Sequence, residues 1–253
     1  MVPGEASRTA ISLFENNVVH GYISGLLIEN KLKSDGLLSC CNDYQPLENP
    51  TNTSSPEKKV KLIRLTAYNN FDQNAWVRGG WIEMSNSSFM GSKAGLQYAR
   101  SRPKEQFIKD SVFIGESNNL GEPAQFSFNG TTVIYHRSVP SISIPRLGLV
   151  FYDGPIFAEN IWFKGYKKTP YYNMGAIGFQ RKNLYGSSTV SSVKAAKFAF
   201  IDGDSTGNRV LDGDDDDPEF GSEDGDKAKT FQDVDGSVSG VANSQIVKPY
   251  DYY

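Results

Sequence analysis

The stretch LIRLTAYNNFDQNAWVRGGWIEMSNSSFMGS, residues 62–92, decides the fold, because its last third returns downstream as QFIKDSVFIGES, residues 106–117. The repeated unit is Asn or Asp, two residues, Phe, one residue, Gly. It stands at Asn86-Ser87-Ser88-Phe89-Met90-Gly91, at Asp110-Ser111-Val112-Phe113-Ile114-Gly115 and at Asn160-Ile161-Trp162-Phe163-Lys164-Gly165. Looser copies read Leu65-Thr66-Ala67-Tyr68-Asn69-Asn70 and Ile11-Ser12-Leu13-Phe14-Glu15-Asn16. Apolar residues precede the full copies, in alternation at Ile82 and Met84 and at Ile156 and Ala158, and as Phe107 and Ile108 in the middle copy. Alternation of this kind belongs to strands, not helices.

The aromatic positions Phe14, Tyr68, Phe89, Phe113 and Phe163 are separated by one or two units of roughly twenty residues, a period that signals stacked repeats burying their apolar faces against each other. Asn and Gly at the corners take left-handed backbone conformations at little cost. The expected fold is therefore all-β, a right-handed parallel β-helix, with the aromatic residues in one internal column and corner amides bonded from turn to turn. A β-sandwich with coincidental spacing is the alternative. Residues 1–241 form the expected unit, interrupted by polar, proline-bearing or acidic loops at 31–60, 123–145 and 202–229. A tail at 242–253 follows it. The start, MVPGEASRTAISLF, lacks a basic segment followed by an apolar one and runs almost at once into a repeat, so the chain reads as a piece of something longer.

The net charge of −3 conceals an asymmetry. Residues 1–200 carry 22 Lys and Arg against 15 Asp and Glu, whereas residues 201–253 carry 4 against 14. A basic body suits an anionic polymer. No run of eighteen apolar residues is present, so no membrane span is expected. Cys40 and Cys41 are adjacent, which disfavours a bridge between them, and neither shows metal-binding spacing. Asn52, Asn86 and Asn129 head N-x-S/T triplets, possible glycosylation acceptors.

Four motifs in one order carry a family resemblance: Asn74-Ala75-Trp76-Val77-Arg78-Gly79-Gly80, Phe113-Ile114-Gly115-Glu116-Ser117, Phe151-Tyr152-Asp153-Gly154-Pro155, and FQDVDGSVSG at 231–240. Together they resemble the β-helix region of the family of the cell-migration-inducing and hyaluronan-binding protein (CEMIP) and its transmembrane sibling, the cell-surface hyaluronidase. Fibrocystin-like proteins are more distantly similar. The resemblance implies an extracellular or cell-surface location, depolymerisation of hyaluronan and dependence on calcium. It implies neither an organic cofactor nor a nucleic-acid partner. The G8 domain that precedes the β-helix in the family is missing from this chain, and no catalytic residue is carried over from the family.

The residues themselves offer candidates. A glycosidase needs two carboxylates roughly 5–10 Å apart, and neighbouring strands of a parallel stack bring sequence-distant residues about 4.8 Å apart. Glu116 and Asp153, each beside a turn, are the candidate catalytic pair. Trp76 and Trp81 offer stacking faces and Arg78 a guanidinium for a sugar carboxylate. Asp233 and Asp235, alternating on one strand, are the candidate calcium ligands. The expected activity is that of a hydrolase-type endo-hyaluronidase. A non-catalytic segment serving adhesion or assembly is the alternative, and a polysaccharide lyase is the weaker third reading. His20 and His136 show no metal or triad spacing.

Overall fold

The computed structural model describes residues 5–28, 31–32, 38–39, 44–100, 105–117, 124–128, 130–135, 146–151, 155–166, 174–179, 191–201, 210–212 and 229–246. One short helix, α1 (Glu5–Arg8), precedes strands β1 (Val18–His20), β2 (Ser24–Ile28) and the small hairpin β3 (Lys31–Leu32) and β4 (Leu38–Ser39). There follow β5 (Val60–Ile63), β6 (Thr66–Tyr68), β7 (Gln73–Gly79), β8 (Ile82–Ser85), β9 (Ser88–Met90), β10 (Ala94–Arg100) and β11 (Gln106–Ile114). A second hairpin, β12 (Ala124–Phe128) with β13 (Thr131–Tyr135), stands apart from the main sheets. The chain continues through β14 (Arg146–Phe151), β15 (Ile156–Lys164), β16 (Met174–Phe179), β17 (Ser191–Phe200), β18 (Val210–Asp212), β19 (Lys229–Asp233) and β20 (Ser244–Ile246).

The molecule is all-β and its two large sheets are parallel throughout, save for β20, which pairs antiparallel with β19. The ten-stranded sheet runs β1-β6-β9-β11-β15-β17-β19-β20, with β5 and β8 added along the first half of β11. The six-stranded sheet runs β2-β7-β10-β14-β16-β18. The chain alternates between the two sheets, so each passage adds one rung to both.

A single left-handed residue bends each rung of the larger sheet. Asn16, Arg64, Asn86, Asp110, Asn160 and Lys197 have φ between 50° and 58°. Successive corners are linked: Arg64 Nε donates to Asn16 Oδ1 at 2.6 Å, and Asn160 Nδ2 donates to Asp110 Oδ1 at 2.6 Å. Asn and Asp tolerate this conformation because their short side chains bond locally. Arg64 and Lys197 are held there by the ladder on either side.

Phe89, Phe113, Phe163 and Phe200 do lie in one column, with ring centroids 4.9, 5.4 and 5.4 Å apart. Two members of the expected series are displaced. Ala67, not Tyr68, faces Phe89, and Val19, not Phe14, faces Ala67. Tyr68 points outward and stacks on His20 at 4.7 Å. The apparent period is preserved at Tyr68 because the aromatic residue is only one place away from the inward position, and one place on a strand is the opposite face. A second interior column consists of Leu62, Met84, Ile108, Ala158 and Ala195, all 0% exposed. Tyr98, also buried, places its hydroxyl 2.9 Å from Ile82 O and 3.1 Å from Phe107 O, tying the smaller sheet to the larger.

All three expected loops contain structure, the 123–145 stretch as the β12–β13 hairpin. Residues 44–60 pack back onto the body through buried Leu47 and the bridges Thr9↔Leu47 and Tyr44↔Gly79. Within the acidic 202–229 stretch, β18 pairs in register with β16. Its three residues, Val-Leu-Asp, lie among so many carboxylates that composition hides them.

Removing the middle of the aromatic column tests the packing. Phe113→Ala is expected to cost about 3–5 kcal/mol of unfolding free energy, whereas Phe107→Ala, on the outer face of the same strand, costs about 1 kcal/mol. Denaturant unfolding of the two variants checks the contrast.

Candidate functional site

The outward residues of the larger sheet gather aromatic rings and ammonium groups. Lys61, Glu83, Phe107, Phe157 and Lys194 occupy one register column across β5, β8, β11, β15 and β17. Ser85, Lys109 and Glu159 form the column beside it. Strand alternation places them outside, because the residues between them fill the core.

Lys59 sits at the centre of this face. Its ammonium lies 5.7 Å from the centroid of Trp81 and 5.0 Å from that of Phe107, and it pairs with Glu83. Lys109 reaches the same carboxylate, Nζ to Oε1 3.0 Å. Phe107 meets Phe157 edge to face at 6.1 Å. One rung further on, Lys197 Nζ donates to Glu159 Oε1 at 2.6 Å. The Glu83 side chain is only 9% exposed, whereas that of Lys109 is 42% and that of Lys197 65%. The carboxylate therefore lies beneath and the ammonium groups stand proud. Burial pushes the Glu83 carboxyl up, but hydrogen bonds from Lys59 and Lys109, reinforced by their charges, outweigh it and hold the group below its ordinary value. The Glu83 hydrogen bond and charge hold Lys109 above its own. Chemically this is a face of flat apolar rings with cations between them, suited to a ligand with apolar faces and regularly placed anions.

Of the residues expected from sequence, Trp81 belongs to this face. Trp76 and Arg78 lie on the smaller sheet, in register with Gln97 and Ala99. Trp76 is half-buried and Arg78 is buried, with 5% exposed. The Gly79-Gly80 turn that separates them from Trp81 is pinned from inside by Gln106, whose Nε2 donates to Gly79 O at 2.7 Å and to Gly80 O at 2.8 Å. A lone glutamine in an apolar strand pattern was the only sequence signal for that brace.

Glu116 lies just past β11, where its amide donates to Gly165 O at 3.0 Å. Its Oε1 accepts from Nη1 of Arg146 at 3.2 Å, and the Arg146 side chain is 1% exposed. Asp153, its expected partner, lies outside the described residues, as do Cys40, Cys41, Asn129 and His136. Asp233 is fully buried; its Oδ2 accepts from the amides of Val238 and Ser239 at 3.1 and 2.6 Å and from Ser239 Oγ at 2.7 Å. Asp235 accepts from the amides of Lys197 and Ser237 at 2.7 and 3.1 Å. The two carboxylates thus organise a turn rather than converge on one point. Among the described residues no group of three or more His, Cys, Asp or Glu is placed to hold a metal ion. Asn52 and Asn86 are both exposed, Asn86 at a left-handed corner.

No family model matches the chain. It is 32% identical to the cell surface hyaluronidase CEMIP2 of Homo sapiens over 268 residues, 96% of this chain and 19% of that protein. It is 30% identical to the cell migration-inducing and hyaluronan-binding protein of Mus musculus, over 97% of this chain and 19% of that one. It is also 30% identical to a cell surface hyaluronidase of Danio rerio, over 96% and 18%. The chain thus spans only a small part of the length of the relatives it matches.

The Glu83 cluster has a signed pH dependence. A carboxyl held below its ordinary value stabilises the fold above the unfolded value, 4.5, and that contribution is lost as pH falls through the lower folded value. Glu83→Gln is expected to lower stability at neutral pH by about 1 kcal/mol and to narrow its gap to the unsubstituted chain as pH falls below that range. Thermal unfolding from pH 7 to pH 3 measures it.

Proposed function

The chain belongs, over nearly its whole length, to the family of the cell surface hyaluronidases and the cell migration-inducing and hyaluronan-binding protein, and from that premise we propose that it is one region of an extracellular or cell-surface protein that binds hyaluronan and cuts it by hydrolysis. In this reading its two parallel sheets are walls of a right-handed β-helix. The polysaccharide lies against the larger wall. The observation that carries the proposal is the outer face built from Lys59, Trp81, Phe107 and Lys109. Hyaluronan presents apolar ring faces and a carboxylate in every disaccharide, and this face offers a partner for each.

Cleavage requires a proton donor and a second carboxylate. Glu116 and Asp153 are the proposed pair, with Arg146 fixing Glu116 in position from beneath. The tie to a buried guanidinium also favours a second reading, in which this region holds the polymer and Glu116 only braces a corner. Calcium enters as a proposed requirement of the whole protein; Asp233 and Asp235, the ligands expected from sequence, would have to give up amide hydrogen bonds of their turn to hold it.

The secreted protein is incubated with long hyaluronan, with calcium or with a chelator, and polymer length is followed on gels. The proposal predicts shortening in calcium, no ultraviolet-absorbing unsaturated ends, and a loss of rate of about a hundredfold or more in Glu116→Gln. Retained binding with unchanged length establishes the holding role instead. Absence of both binding and shortening overturns the assignment.

A further inference from the structure

Along the ladder β5-β8-β11-β15-β17 the charges in the two outward columns before the corner alternate rung by rung. Between the first inward residue and the corner, β5 carries Lys61, with Lys59 just before it. The corresponding part of β8 carries Glu83, that of β11 Lys109, that of β15 Glu159 and that of β17 Lys194, with Lys197 at its corner. On β19 the outward residue opposite Lys194 is the neutral Gln232, where the series stops. Within these two columns cations thus recur on every second rung from β5 to β17, and each rung between carries a carboxylate. Lys61, Lys194 and Lys197 are exposed, and Glu83 and Glu159 are less so.

We propose that this face is a ruler for a linear polysaccharide with one carboxylate per disaccharide, lying across the strands with successive carboxylates at the lysines of β5, β11 and β17. The proposal rests on the hyaluronan reading above and adds to it where the polymer lies and which repeat it must have. Two rungs of a parallel ladder span about 9.6 Å along the ladder, close to the length of one extended disaccharide, and Lys109 stands one outward column to the side of Lys61 and Lys194, so successive carboxylates reach to alternate sides of the polymer. The intervening sugar then crosses a rung whose own charge is negative. A polymer with a carboxylate on every sugar would set one over Glu83 and another over Glu159, and like charges at this range repel. Phe107 and Phe157, which occupy the column of Lys61, Glu83 and Lys194 on β11 and β15, and Trp81, just before β8, offer ring faces to the sugars between. Glu83 and Glu159 serve a further purpose, since each holds a neighbouring ammonium in place before the ligand arrives.

The test is calorimetric binding of hyaluronan oligosaccharides of one to five disaccharides, with oligogalacturonates of matched carboxylate number as the comparison. Affinity is expected to rise in steps to three disaccharides and then level off, with the oligogalacturonates at least tenfold weaker. Lys109→Gln and Lys194→Gln each weaken binding about three- to tenfold, and Lys109→Arg restores most of it. Lys164→Gln, an equal loss of charge on an exposed position away from these columns, leaves binding unchanged. Equal affinity for the two polymer types, or equal losses for Lys164→Gln and Lys109→Gln, overturns the ruler while hyaluronan binding itself stands. If the unsubstituted protein binds no hyaluronan oligosaccharide, the functional assignment fails together with it. Melting temperatures of all variants within a few degrees of the parent ensure that the losses are read at the surface.

Discussion

Parallel pairing in strict register is the constraint on which everything else depends. Once Phe113 is fixed opposite Phe89 and Phe163, the partner of every other residue on β11 is fixed as well, inside and out. The register is reinforced from both faces. Inside, the phenyl rings stack and Ser111 Oγ receives the amide of Ser87 at 3.2 Å, as Ser87 Oγ receives that of Leu65 at 3.1 Å. Outside, Glu83 is held between lysines of the rungs on either side. A slip of one residue would turn the phenylalanines to water and the lysines into the core, a cost far beyond the net stability of a domain of this size.

The same constraint explains which parts of the fold were legible. Phe89, Phe113 and Phe163 could be found because each follows a corner residue, Asn86, Asp110 or Asn160, at a fixed interval. The corner marks where the count begins. In the preceding rung the corner is Arg64, which carries no such mark, so the aromatic Tyr68 drew attention away from Ala67, the true inward residue. Small residues are silent in a search for aromatic columns, although Ala67 takes the inward place opposite Phe89 and is fully buried. Lys197 is a second unmarked corner; its rung is nonetheless recognisable from the apolar alternation of Val193, Ala195 and Phe198.

The candidate site was less legible for a related reason. Trp81 was visible as a large aromatic residue beside a turn, but its neighbours Lys59 and Phe107 are 22 and 26 positions away and become neighbours only through the register. Arg78 resembled a surface cation because glycines follow it. The turn folds instead against Tyr44 and is braced by Gln106, which leaves the guanidinium buried. Asp233 and Asp235 do not share a strand as expected: Asp233 ends β19 and faces the core, Asp235 lies in the bend beyond it, and both accept from backbone amides.

β20 runs against β19, whereas every other pairing in that sheet is parallel. Among the described residues the opposite margin is β1, which pairs parallel with β6. The two margins of this ladder therefore differ in direction: a reversed strand such as β20 cannot be extended in the parallel register that stacks one phenylalanine on the next, whereas β1 continues that register unbroken.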